Sequence, residues 1–96
     1  MGQYSYGEFW SVVRALCALY GASVTGGPRS SARNATVGGA PRSRHLLEHG
    51  GKAADLVPDD WSQAPALAAD AVRLGLWSQV DESETKGRHV HVHDEP

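Results

Sequence analysis

The chain has 96 residues, with nine Lys or Arg against eleven Asp or Glu and a formal net charge of −2 at pH 7. That length holds one domain, residues 1–96, with a modest core, a size at which a bound metal often adds needed stability. The near-neutral balance gives no electrostatic footprint for nucleic acid, and a single cysteine, Cys17, excludes an internal disulfide and a four-cysteine zinc site.

In chain order, residues 8–20 place Phe9, Val13, Leu16, Cys17 and Tyr20 at the i, i+4, i+7, i+8, i+11 spacing of an amphipathic helix, with Gly21 as its stop. Cys17 is expected to be a small core residue. The apolar run 9–20 is broken by Arg14, lacks a basic leader and is too short to span a bilayer. Synthesis in the cytoplasm without a signal peptide, and no membrane partner, are therefore expected.

Residues 22–51 are rich in Gly, Ser, Arg and Ala, with Pro28 and Pro41 as breakers and little periodicity. So long a loop is uncommon in a compact domain unless it is functional or disordered. Four arginines (Arg29, Arg33, Arg42 and Arg44) with few acids point to an ordered surface for something anionic, and a flexible tail is the competing reading.

Residues 53–57 form a short apolar run around Asp55, a strand ended by Pro58. Residues 63–74 read as a second helix, with Ser62 as N-cap, Pro65 in the first turn, a stripe of Leu67, Ala71 and Leu74, and Gly75 as stop. Residues 76–80 alternate like a strand, the polar stretch 81–87 is its turn, and 88–93 its hairpin partner. The expected fold is α+β, a small antiparallel sheet with two main helices packed against it.

The last strand spells Gly87-Arg88-His89-Val90-His91-Val92-His93. Alternation puts the three histidines on one face and the two valines on the other. The plain reading is a half-buried edge strand with a solvated histidine face. The chemical reading is a metal face, since catalytic zinc takes three protein ligands, usually His with Asp or Glu, and keeps a fourth position open. Residues i and i+2 lie about 6.6 Å apart along a strand, so the three histidines do not all reach one ion. Other ligands must come from elsewhere. His45 and His49 are the remaining histidines, and Asp55, flanked by apolar residues, needs a partner or a metal.

The order of these pieces resembles the zinc D-Ala-D-Ala carboxypeptidase and L-alanyl-D-glutamate endopeptidase family, with its lysostaphin/hedgehog-type fold. The resemblance rests on Val24 to Leu46, "VTGGPRSSARNATVGGAPRSRHL", then "GKAADLV" from Gly51 to Val57, then "RLGLW" and "HVHV". It implies a zinc peptidase acting on peptidoglycan stem peptides, with His45, Asp55 and His91 holding Zn2+. Arg29 and Ser43 would face the substrate, and His89 would hydrogen-bond the developing oxyanion. It further implies a phage or prophage protein released to the cell wall, working as a monomer. The chain departs from the pattern twice. The family usually sets its histidine seven residues before the aspartate, whereas His45 stands ten before Asp55, with Glu48 and His49 as the nearer alternatives. The acid often found three residues before the last ligand is here Arg88, leaving Glu84 as the catalytic carboxylate, with Glu82 and Asp94 as alternatives. The rival expectation is a module of the same fold that keeps zinc or peptide binding and has lost catalysis.

Overall fold

The computed structural model describes residues 3–26, 51–82 and 87–94. Helix α1, Tyr6–Tyr20, starts at Ser5 through a capping box. The Ser5 hydroxyl accepts from the Glu8 backbone N–H at 3.2 Å, and the Glu8 carboxylate accepts from the Ser5 N–H at 2.9 Å, so two otherwise unpaired donors are satisfied at once. Phe9, Val13 and Leu16 of the expected stripe are buried, while Cys17 and Tyr20 pack half-buried at its margin. Burial pushes the Cys17 thiol up from its ordinary range, consistent with an inert packing role. Gly21 ends the helix at φ 58°, a left-handed conformation that glycine adopts without strain.

The chain then enters a strand that the sequence pattern did not announce, β1, Ala22–Gly26. It pairs antiparallel with β2, Ala53–Pro58, and carries a bulge between Val24 and Gly26. Three of its five residues are exposed, so its place comes from ladder bonds to β2 and not from an apolar repeat. The expected binding surface in the remainder of residues 22–51 lies, apart from Gly51, outside the described residues.

The second helix differs from expectation at both ends. Ser62 is not its N-cap. It sits in a 3-10 turn, Trp61–Gln63, capped by Asp60, whose carboxylate accepts from the Ser62 N–H at 3.0 Å and the Ser62 hydroxyl at 2.7 Å. Helix α2 then runs Ala64–Arg73 with a proline in its first turn. Ala64, Leu67 and Ala71 are buried, whereas Leu74 follows the helix and is 42% exposed. Tyr20 ties the two helices together by donating its hydroxyl to the Asp70 carboxylate.

Strands β3, Trp77–Asp81, and β4, His89–His93, form the expected antiparallel hairpin. The sheet order is β1-β2-β4-β3, so β4 is an interior strand, and the edge-strand reading of the histidine segment is corrected. Alternation divides the sheet cleanly. Ala54, Leu56, Val90 and Val92 face the helices and close the core with Phe9, Val13, Leu16, Leu67, Ala71 and Leu76. The other face carries Asp55, His89 and His91. The α+β architecture of two helices on a small antiparallel sheet is as the sequence implies. Among the described residues, no helix is long and apolar enough to cross a membrane.

Candidate active site

Pairing β2 with β4 sets Asp55 directly opposite His91, and pairing β3 with β4 sets Gln79 opposite His91, Asp81 opposite His89 and Trp77 opposite His93. Asp55 is therefore the odd residue of "AADLV" that turns away from the core, and it meets the odd residues of "HVHVH" on one face.

The groups interlock. Asp55 Oδ1 accepts from His91 Nδ1 at 3.0 Å and lies 3.9 Å from His89 Nε2, which is 3.6 Å from Asp81 Oδ2. His89 Nδ1 donates to the Gly87 carbonyl at 2.9 Å. A carbonyl only accepts, so the His89 Nδ1 proton is held there and Nε2 is the nitrogen turned toward the two carboxylates. His91 Nε2 meets His93 Nδ1 at 2.9 Å. The His93 ring, 5% exposed, stacks on Trp77 at 4.7 Å between centroids and 12° between planes.

Gly26 makes room for this arrangement. It pairs with Asp55 across β1 and β2, and a Cβ at Gly26 would stand 2.6 Å from Asp55 Oδ2. Gly26→Ala is expected to push the Asp55 carboxylate out of line with His91 while leaving the helices intact. Zinc titration against a chromophoric chelator should show at least a severalfold weaker affinity at an unchanged far-UV circular dichroism spectrum.

The expected site residues divide into two groups. Asp55, His89 and His91 come together; Arg29, Ser43, His45 and Glu84 lie outside the described residues, as do Glu48 and His49. Two alternative acids are occupied elsewhere. Glu82 accepts from the Trp61 indole N–H at 3.4 Å, and Asp94 accepts from the backbone N–H groups of Gln3 and Tyr4 at 3.2 and 2.9 Å. Arg88, in the place where an acid was looked for, holds its guanidinium 5.0 Å from the Trp61 ring centroid, a cation–π contact away from the histidines. Asp81, Trp77, His93 and Gly26 are the residues whose importance the sequence reading missed. The signal for two of them was present: Trp77 and Asp81 share the odd-numbered face of a strand already recognised as the hairpin partner of β4.

A family model described as Peptidase M15 matches residues 6–93. The chain belongs to the peptidase M15 family. The recognition drawn from motif order is thereby confirmed, across helices and sheet together. No curated protein and no solved structure gives a significant match to the chain.

Whether this peptidase fold suits the zinc that the family generally uses is a question for the donor atoms. Two ligands of a tetrahedral zinc at bonds of about 2.0–2.1 Å lie roughly 3.3 Å from each other. Asp55 Oδ1 and His91 Nδ1 stand 3.0 Å apart on facing strands, so a few tenths of an ångström of opening makes room for an ion between them. A carboxylate and an imidazole are also the donor types that zinc prefers in catalytic sites. The pair fits, and it is incomplete: among the described residues no three His, Cys, Asp or Glu side chains form a closed metal-holding group.

Proposed function

We propose that this M15 peptidase is zinc-dependent and hydrolyses peptide bonds in the stem peptides of bacterial peptidoglycan, as a D-Ala-D-Ala carboxypeptidase or an endolysin-like endopeptidase. The observation that carries the reading is the facing pair Asp55–His91, with His89 and Asp81 beside it on the same face of the sheet. In this reading Asp55 and His91 hold Zn2+ together with His45, which the family resemblance supplies. Zinc, when bound, polarises the scissile carbonyl and activates water for attack.

The chain's own groups do the rest. His89, with Nδ1 pinned on the Gly87 carbonyl, presents Nε2 to the site; when protonated, that nitrogen donates to the oxygen that gains charge as the carbonyl is attacked. Asp81, 3.6 Å from that nitrogen, stabilises the ring when it is charged and, among the described residues, is a carboxylate beside the Asp55–His91 pair that can take a proton from water. Glu84, the acid to which the sequence points, lies outside the described residues. Arg29 and Ser43 grip the substrate, the guanidinium matching a peptide carboxylate with paired donors.

The test is incubation of purified protein, loaded with one equivalent of zinc, with muropeptides across pH 6–8, followed by mass spectrometry. Zinc-dependent release of D-alanine or of a defined stem fragment supports the reading. Stoichiometric zinc binding with intact muropeptides overturns it in favour of a catalytically degenerate zinc- or peptide-binding module.

A further inference from the structure

His93 has no role in the chemistry above, yet it is the most deeply placed of the strand's three histidines in contact with the site. Two observations about it are independent of each other. Its Nδ1 lies 2.9 Å from His91 Nε2, and its ring is stacked on Trp77, whose edge also meets the His91 ring at 5.9 Å and 69°. The stack follows from the register, since Trp77 and His93 are direct cross-strand partners.

An imidazole can turn over about its Cβ–Cγ bond with almost no change of shape, exchanging Nδ1 with Cδ2 and Nε2 with Cε1. Asp55 selects the orientation that aims Nδ1 at it, but one hydrogen bond is a modest restraint, worth about 1.5–3 kcal/mol even with a charged acceptor. The second contact, at the far end of the ring, selects the same orientation, because the turned-over ring would set a C–H against His93 Nδ1.

We propose that His93, held flat against Trp77, is a positioning residue that keeps His91 in the orientation presenting Nδ1 to Asp55. The inference rests on the reading of Asp55 and His91 as metal ligands for its purpose, though not for its geometry. In a singly protonated His91 whose Nδ1–H donates to the Asp55 carboxylate, Nε2 is left to accept from His93 Nδ1–H. When Nδ1 is given over to a metal, the single His91 proton must sit on Nε2 and donate to His93 Nδ1. His91 releases its Nδ1 proton and receives that of His93, while His93 takes one on its own Nε2; the pair's proton count is unchanged. An imidazole nitrogen at this place can donate or accept and so serves both arrangements, and such an outer partner is what fixes the tautomer of a ligating histidine.

Two measurements test this. Long-range nitrogen–proton correlation on metal-free protein labelled at histidine nitrogen should show His91 protonated on Nδ1 and bare on Nε2; the reverse pattern overturns the proposal. Chelator competition should then show zinc binding weakened about 10–100-fold in His93→Phe, which keeps a ring on Trp77 but removes both nitrogens. In His93→Asn, whose side-chain amide can both donate and accept near the Nδ1 position, most of that loss should be restored. Unaltered affinity in His93→Phe, or equal weakness in both variants, assigns His93 to packing alone and overturns the proposal. If the wild-type chain binds no zinc, the zinc reading of the site fails, while His91 tautomers in metal-free His93→Phe still decide the matter: a mixed population supports the positioning role and an unchanged one overturns it.

Discussion

Replacement of Asp55 by alanine is expected to abolish stoichiometric zinc binding and, with it, peptide hydrolysis. Outer partners of metal ligands typically cost 10–100-fold in affinity when removed, so loss of a ligand itself should weaken zinc by more than about 100-fold. The substitution leaves the core-facing neighbours Ala54 and Leu56 untouched, and the register of β2 with β4 gives no reason for the sheet to open. Thermal unfolding separates a lost site from a lost fold. Zinc at about 100 times its dissociation constant stabilises a protein that binds it only when folded by about 2.7 kcal/mol. The wild-type melting temperature should rise with zinc and fall back on chelation, whereas that of Asp55→Ala should ignore both. His91→Ala should behave in the same way, and a zinc response that survives either change would remove the Asp55–His91 pair from the metal site.

The second large effect is expected at Asp94, immediately after the last histidine. Its carboxylate, 4% exposed, accepts from the backbone N–H groups of Gln3 and Tyr4 and from the Lys52 ammonium at 3.3 Å. Lys52 also donates to the Tyr4 carbonyl at 3.0 Å, and the Asp94 N–H donates to the Lys52 carbonyl at 3.1 Å. The cluster binds the segment before α1 to the start of β2 and the end of β4. Burial is the largest single influence on this carboxyl and opposes its ionisation, but the two N–H groups and Lys52 together outweigh it and hold its pKa below the ordinary 3.8. A depressed folded-state pKa stabilises the fold fully above the unfolded value. That stabilisation is lost as pH falls below about 4 and through the folded value. Asp94→Asn keeps the shape but turns an N–H₂ group toward donors, at a cost of about 3 kcal/mol. At the rate of about 4–8 °C per kcal/mol for a domain of this size, melting at pH 7 should drop by roughly 12–24 °C. The gap between the two proteins should narrow toward pH 3, and a constant gap would show that the carboxylate's charge is not what matters.

Much of this protein was legible in the residues alone, because the signals are local. The Phe9–Val13–Leu16 stripe identifies α1, the alternation of "HVHVH" separates a histidine face from a valine face, and Asp55 between Ala54 and Leu56 belongs to the face opposite the core. Motif order was enough to place the chain in its family. What remained hidden is what depends on non-local pairing. β1 has no apolar repeat and exists because β2 offers it a ladder, and Gly26 matters only once that ladder brings it against the Asp55 carboxylate. Asp94 looked available for catalysis until the fold folded the amino-terminal segment back onto it. Arg88 looked like a defect in the site until Trp61, 27 residues earlier, turned out to receive it. His93 looked idle until Trp77 came beneath it.

The sequence by itself determined which side chains share a face, since that follows from the periods of strand and helix. Only the tertiary structure decided which faces meet: strand register joins Asp55 to His91 across 36 residues of chain, and backbone pairing at that separation is set by the packing of the whole sheet against its helices.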